Sequence, residues 1–452
     1  MAFAKDSYWL KSGFYTVLLK SSIMLLGFGG FFFLVRITDK PTFGVWALFL
    51  TVTSLIETAR NGLIQNAQIK FLTTEPKENH PEIISASFTL NILLTFVSII
   101  ILLILGPLLS SRMNAPALQT MLYFYIFTTI TLIPYSQFNF IQQGNMDFKG
   151  IFFSNVAKNG ILFLFIFICF IFKLEVDLLN LVHIQTIGAI VGASVSYFFV
   201  RKYFVFAMKV NFQRVLQLFN YGKYVFGTNL SSMLFKSIDQ FMIGSMISTA
   251  SVAVYNTAIR ITNLVEIPTL SVAAIVFPKS AQRMATEGIS SVKYLYEKSV
   301  GVILAVLFPA LLFILIFPSF IIRIVAGEAY LDTVPILQVT ILYCFFVPFA
   351  NQFGTILDSI GMPKVNFYVN LFGAVVNVVS NLFFINKFGL IGASYGTLTA
   401  YFINFFIVQY ILAKKLNVNT LNTFKYARQF YVQGYEVAMN YFSKKKRIKS
   451  NG

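Results

Sequence analysis

The amino-acid sequence predicts an all-α polytopic membrane protein with twelve transmembrane helices in two six-helix bundles. Three observations carry that prediction. Of 452 residues, 57% are hydrophobic and 12% are charged, about half the charged share of ordinary soluble domains. The apolar residues gather into runs of about 20 or more, the length that lets an α-helix cross ~30 Å of hydrocarbon. Those runs do not alternate and are far longer than the ~10-residue strands of a membrane β-barrel. With a mean hydropathy of +0.73, a cytosolic globular enzyme, a disordered protein and a nucleic-acid-binding module are all excluded, because such a chain has no adequate polar surface.

The first six runs fall near 13–35, 42–68, 83–110, 117–138, 150–172 and 178–200. The first is long and lacks a small-residue cleavage site after it, so it reads as an uncleaved span. The second carries Glu57 and Arg60, three residues apart and so on one helix face. Pro134 lies in the fourth, and His183 in the sixth. The second six fall near 218–247, 251–277, 299–323, 333–357, 365–385 and 390–412. The seventh carries Lys236, Asp239 and Gln240; the eighth carries Arg260, Glu266 and Pro268. Pro309 and Pro318 fall in the ninth, and Pro348 in the tenth, which ends near Asp358. Prolines inside spans permit kinks.

Charge placement orients the chain. With both termini in the cytoplasm, cytoplasmic segments hold 25 of the 35 Lys and Arg residues, outer loops hold 6, and Lys20, Arg60, Lys236 and Arg260 lie within spans. That bias follows the positive-inside rule. The net charge of +18 therefore reports topology and contact with anionic lipid, with no nucleic-acid partner. The domain organisation is a first bundle over 1–205, a second over 206–413, and a basic cytoplasmic tail over 414–452 that ends in Lys444, Lys445, Lys446, Arg447 and Lys449. Aromatic residues interleave with the tail's cations, which suits a segment held against anionic headgroups.

The two halves echo each other. Val45-Trp46 … Glu57 in span 2 aligns at one constant offset with Val254-Tyr255 … Glu266 in span 8. Lys20-Ser21 matches Lys236-Ser237, and Gly144-Asn145-Met146 matches Gly361-Met362-Pro363. Six spans per repeat leave both halves in the same orientation. This predicts an axis along the membrane normal, a site at the repeat interface and alternating access by rocking of the halves.

Ionisable side chains at membrane depth cost at least ~2.5 kcal/mol each and are paired or line a cavity. Lys20, Lys236, Arg260 and Arg60 are candidates for a cationic cavity that takes an anionic substrate. Glu57, Asp239 and Glu266 are candidates for a charge network that carries a coupling ion, H⁺ or Na⁺. Alternatively, Glu57–Arg60 and Lys236–Asp239 are structural ion pairs. The many amides in the spans serve as glue between helices or line a sugar-binding chamber. No Walker loop or Gly-x-Ser-x-Gly elbow is present, and with only two histidines a metal centre is not expected, so the chain does not read as an enzyme.

Several segments together resemble the multidrug/oligosaccharidyl-lipid/polysaccharide (MOP) exporter superfamily. They are Phe43-Gly44-Val45-Trp46 … Gly62-Leu63 … Lys70, Asp239-Gln240-Phe241-Met242-Ile243-Gly244 … Val252-Ala253-Val254-Tyr255 … Arg260 … Phe277-Pro278, Gly361-Met362-Pro363-Lys364 and Gly389-Leu390-Ile391-Gly392-Ala393-Ser394. The resemblance covers about 1–412 and is greatest to the polysaccharide-transporter branch, the O-antigen and capsule repeat-unit flippases. It implies a flippase that carries an undecaprenyl-diphosphate-linked oligosaccharide from the cytoplasmic to the periplasmic leaflet of a bacterial inner membrane, with Asp239, Lys236 and Arg260 in a charged cavity. It also implies membrane lipids, a polysaccharide polymerase and a chain-length regulator as partners. A multidrug/cation antiporter is the first alternative, although Lys20 stands where that branch commonly has a carboxylate. A non-transporting scaffold of a polysaccharide assembly complex is the second.

Overall fold

The computed structural model describes the backbone of residues 2–207 and 210–450, and the side chains of 14–207, 210–223, 226, 227 and 229–436. Within those residues the regular structure is entirely helical. Eleven helical segments are long and apolar enough to cross a membrane, which makes this a multi-pass membrane protein.

The packing divides into two compact units, Met1–Asn256 and Thr257–Gly452. The first unit contains α1 (Ala2–Ile37), α2 (Lys40–Thr74), α3 (His80–Arg112), α4 (Pro116–Gly144), α5 (Phe148–Phe172), α6 (Leu178–Val200), α7 (Phe212–Met246) and the start of α8 (Thr249–Thr262). Local chemistry sets their ends. The Asp39 carboxylate accepts from the Thr42 amide at 3.2 Å to cap α2, and prolines open α2, α3 and α4, where a missing N–H costs nothing. The expected seventh span forms as α7, a continuous helix. Its polar residues keep it out of the eleven segments that qualify on composition.

Backbone-close packing holds the helices of this unit. A Cβ at Gly222 of α7 would collide with the Leu63 carbonyl oxygen of α2, so only glycine allows that approach. Buried amides and hydroxyls then tie helix to helix. Ser87 donates to Gln68 at 2.7 Å and to Gln137 at 3.1 Å. Ser154 and Ser196 both donate to the Asn139 oxygen at 3.0 Å.

The second unit holds the rest of α8, then α9 (Glu266–Thr286), α10 (Ile289–Ile316), α11 (Pro318–Ala326), α12 (Val334–Cys344), α13 (Val347–Ser359), α14 (Pro363–Phe388), α15 (Leu390–Leu416) and α16 (Thr420–Ser450). Its core gathers Tyr296, Val300, Phe349, Phe353, Val408 and Leu412. Pro348 lies in the first turn of α13, after a break at Phe345–Phe346 that divides the tenth span. Pro318 likewise opens α11. Both prolines start helices where in-span kinks were expected; Pro134 and Pro309 do lie inside helices.

The tail begins as α16, packed along α10. The buried Glu297 carboxylate accepts from the Asn419 amide at 2.7 Å and from Asn422 Nδ2 at 2.9 Å. Further along, Tyr431 donates to the Ala305 carbonyl at 2.5 Å. The expected terminal cluster, Lys444, Lys445, Lys446, Arg447 and Lys449, lies outside the described side chains, as do Lys5, Lys11 and Lys209.

Candidate functional site: a cationic cavity in the first unit

Four helices of the first unit each present one stripe of residues to a shared cavity of about 350 Å³. On α2 the stripe is Glu57, Arg60, Asn61 and Gln65; on α4 it includes Tyr135, Asn139 and Gln143; on α5, Ile151, Asn155 and Lys158; on α1, Thr16, Leu19 and Lys20. Spacings of three and four residues put each set on one helix face. The lining holds three cations, Lys20, Arg60 and Lys158, against one carboxylate, Glu57.

Arg60 is 3% exposed. Its Nη1 donates to the Thr129 carbonyl at 3.0 Å and to Thr95 Oγ1 at 3.3 Å, while its Nε is buried without a partner. Glu57, one turn away, accepts a hydrogen bond from the Tyr125 hydroxyl. Among the described residues no ion pair joins Glu57 to Arg60, so the expected structural pair does not form. Neutral oxygens hold the buried guanidinium, and a buried cation without a directly bonded counter-charge favours an anion beside it.

Lys158 comes to the cavity through helix packing. A Cβ at Gly188 of α6 would lie 2.5 Å from the Lys158 carbonyl oxygen, and one at Gly192 would lie 2.9 Å from Lys158 Cβ. These small residues let α5 press against α6, with Lys158 Nζ 4.9 Å from the centre of the Tyr135 ring, a cation–π distance. Lys158 is not among the four in-span cations expected from the charge count, although it stands inside the 150–172 run. The amides Asn61, Gln65 and Gln143 are not among the expected site residues, although their spacing from Arg60 and Asn139 is visible in the sequence.

The cavity thus brings together Lys20, Glu57 and Arg60 and does not include the other expected residues. Asp239 is 3% exposed and accepts from the Tyr255 hydroxyl at 2.6 Å. Beside it, the Gln240 oxygen accepts from Thr51 Oγ1 at 3.0 Å and Asn256 Nδ2 at 2.9 Å, which knits α2, α7 and α8 together. Lys236 lies on α7 outside the cavity lining. Arg260 and Glu266 stand half-buried in the second unit. That unit has a larger cavity, about 560 Å³, walled by side chains such as Phe308, Leu311, Phe346 and Phe402. Its one hydroxyl, Thr399, already donates to the Tyr395 carbonyl at 2.8 Å, so this cavity suits hydrocarbon and not an anion. Among the described residues no three His, Cys, Asp or Glu side chains cluster as a metal site would require.

Residues 33–335 match the family model described as polysaccharide biosynthesis protein. The chain is 30% identical over 217 residues to an uncharacterized membrane protein of Methanocaldococcus jannaschii, covering 47% of this chain and 43% of that protein. It is 24% identical over 196 residues to a probable low-salt glycan biosynthesis flippase, Agl15, of Haloferax volcanii, covering 43% of this chain and 42% of that one. The chain thus matches less than half the length of these two relatives. Among solved structures, the lipid II flippase MurJ in an inward closed conformation superposes with a TM-score of 0.75 at 15% identity, over 94% of this chain and 92% of that chain. A multidrug transporter of the MOP superfamily also shares the fold. These likenesses bear out the expected two-bundle helical class, and with the family match spanning most of its length the chain belongs to the polysaccharide biosynthesis protein family.

Proposed function

We propose that this protein is a flippase that moves an undecaprenyl-diphosphate-linked oligosaccharide repeat unit from the cytoplasmic to the periplasmic leaflet by ion-coupled alternating access. The observation that carries this reading is Arg60, buried, lining a polar cavity with Lys20 and Lys158, and hydrogen-bonded to neutral oxygens with no direct ion pair to Glu57. A diphosphate supplies the missing negative charge, and charge-assisted hydrogen bonds to phosphate oxygens are among the strongest available. The likeness to proteins named as flippases supports the same direction.

In this reading Lys236 and Arg260 extend the cationic set to the second half of the chain as the transport cycle proceeds, and Glu57, Asp239 and Glu266 carry the coupling ion, H⁺ or Na⁺. The protein resides in a bacterial inner membrane with both termini cytoplasmic, and works beside a polysaccharide polymerase and a chain-length regulator. A cation antiporter fits less well, because the cavity lining repels a cationic drug.

Proteoliposomes loaded with fluorescent undecaprenyl-diphosphate oligosaccharide test the proposal. The wild type should translocate the lipid, and Arg60→Gln and the Lys20→Ala/Lys236→Ala/Arg260→Ala triple variant should each lose most of that activity. Undiminished translocation by both variants overturns it.

A further inference from the structure

The apolar cavity of the second unit has a buried floor, an open mouth and a charged rim. Leu311 of α10 and Ile341 of α12 are buried at its floor, while Phe308, Leu312, Leu342 and Phe402 stand largely exposed around its mouth. These residues belong to membrane-spanning segments, so the mouth opens to bilayer hydrocarbon. At roughly 30 Å³ for each water-sized methylene group, about 560 Å³ takes a chain of about 18 carbons. That is one fatty acyl chain and only a fraction of an undecaprenyl tail. The tail helix α16 forms the rim. It crosses α10 where a Cβ at Gly301 would meet the Thr423 carbonyl oxygen and where Tyr431 bonds the Ala305 carbonyl, one turn before Phe308. The Phe424 ring stacks on Phe345 with centroids 6.3 Å apart, and Phe345 lines the cavity. Arg428 lies between these two anchors, one turn beyond Phe424, and Lys425 lies one turn before Arg428. Both cations are exposed, and among the described residues neither makes a hydrogen bond or an ion pair. Glu436, the nearest carboxylate along α16, is about 12 Å further on. Leu421, Phe424 and Tyr435 are exposed on the same side of α16 as Arg428, the pattern of a helix seated at headgroup level.

We propose that this cavity and α16 together form a site for an anionic glycerophospholipid of the bilayer, with one acyl chain in the cavity and the phosphate at Arg428 and Lys425. The cavity's one hydroxyl is already committed to Tyr395, so its lining takes hydrocarbon. The two cations attract a phosphodiester, and a zwitterionic lipid suits them less well because its own cation repels them. The bound lipid touches both α10 and α16 and so fastens the tail helix to the second unit. The inference does not depend on what the protein transports.

The test titrates the full-length protein, purified in detergent, with dioleoyl phosphatidylglycerol, dioleoyl phosphatidylcholine and undecaprenyl phosphate, and counts bound lipids by native mass spectrometry. The first phosphatidylglycerol should bind about tenfold more tightly than the first phosphatidylcholine, the effect of one charge-assisted hydrogen bond. Excess undecaprenyl phosphate should leave it in place. The double variant Lys425→Gln/Arg428→Gln should lose that preference and bind phosphatidylcholine as the wild type does; the unchanged binding also shows that the variant folds. Leu312→Trp and Leu342→Trp each put an indole into the mouth, where both leucines are exposed and no repacking is needed. Each should weaken both phospholipids about tenfold with the melting temperature in detergent unchanged. Equal affinity for the two phospholipids, a preference that survives in the double variant, or full binding by both tryptophan variants overturns the inference. Displacement by undecaprenyl phosphate overturns it too, because the cavity then belongs to the transported lipid. The flippase reading stands or falls separately, on translocation by Arg60→Gln and the triple variant.

Discussion

Glu57 and Arg60 lie one turn apart on α2 and turn to different partners. The carboxylate takes the Tyr125 hydroxyl, and the guanidinium takes the Thr129 carbonyl at 3.0 Å and the Thr95 hydroxyl at 3.3 Å. Two opposite charges at this spacing would ordinarily neutralise each other. Here α4 supplies both Tyr125 and Thr129, so each charged group is hydrogen-bonded to a neighbour on another helix and not to the other.

Arg60 should therefore trade stability for function. Arg60→Met removes a buried charge whose desolvation is only partly offset. The variant should melt at or above the wild-type temperature in detergent while lipid translocation falls at least ~10-fold, in line with ~1.5–3 kcal/mol for a charged hydrogen bond. A marked drop in melting temperature would mean that Arg60 is structural cement.

Glu57→Gln keeps an acceptor for Tyr125 and should fold normally. Transport by this variant should no longer respond to an imposed ion gradient, while passive equilibration of substrate across the bilayer continues. Tyr125→Phe, in contrast, leaves the carboxylate without its donor and should cost about 1–3 kcal/mol of stability, measurable as an earlier thermal transition.

Gly222 carries no chemistry, yet it should be intolerant of change. The Leu63 carbonyl oxygen occupies the space that a Cβ at this position would need. Gly222→Ala must therefore push α7 off α2 at a cost of roughly 1–3 kcal/mol. Lower yield of folded protein by size-exclusion profile, and a lower melting temperature, are expected. Gly434, with open space where its Cβ would stand, should accept alanine without effect.

Glu297 fixes the start of α16. Glu297→Ala removes the acceptor of both Asn419 and Asn422 and should release the helix, seen as faster proteolysis after Lys425 and Arg428. Glu297→Gln retains one acceptor oxygen and should show an intermediate rate.

The loop pair Lys202–Asp147, 2.7 Å apart, has a defined pH window. Its hydrogen bond to Asp147 holds the Lys202 ammonium above its ordinary pKa of 10.5. A raised lysine pKa stabilises the fold in full below the unfolded-state value, and that contribution is lost as pH climbs through the raised one. Lys202→Ala should thus lower the melting temperature by the same small amount at pH 7 and pH 9, with the difference closing only above the ordinary lysine value. Added salt should shrink it, because Lys202 is 57% exposed and screened.

The helical ends were largely legible in the sequence. The run read as 178–200 is α6, Leu178–Val200, and the run at 150–172 is α5, Phe148–Phe172. Apolar length is a local property, and the bilayer admits few alternatives to a helix. The tenth span shows the limit: its break at Phe345–Phe346 lies inside an unbroken apolar run, where nothing in the composition marks an interruption. Lys158 shows the other limit. It stood on the right helix, but which face it occupies depends on Gly188 and Gly192 of the neighbouring α6.

By itself, the sequence determined that this chain is a helical multi-pass membrane protein with cations buried among its spans, because hydropathy and charge cost are read residue by residue. Only the tertiary structure decided which charges share a chamber. Lys20, Glu57, Arg60 and Lys158 converge because α1, α2, α4 and α5 turn their polar stripes toward one cavity, while Asp239 turns to Tyr255 and becomes part of the packing. Hydrogen-bond partners between helices are set by rotation and close approach, properties of pairs of helices that no single stretch of sequence carries.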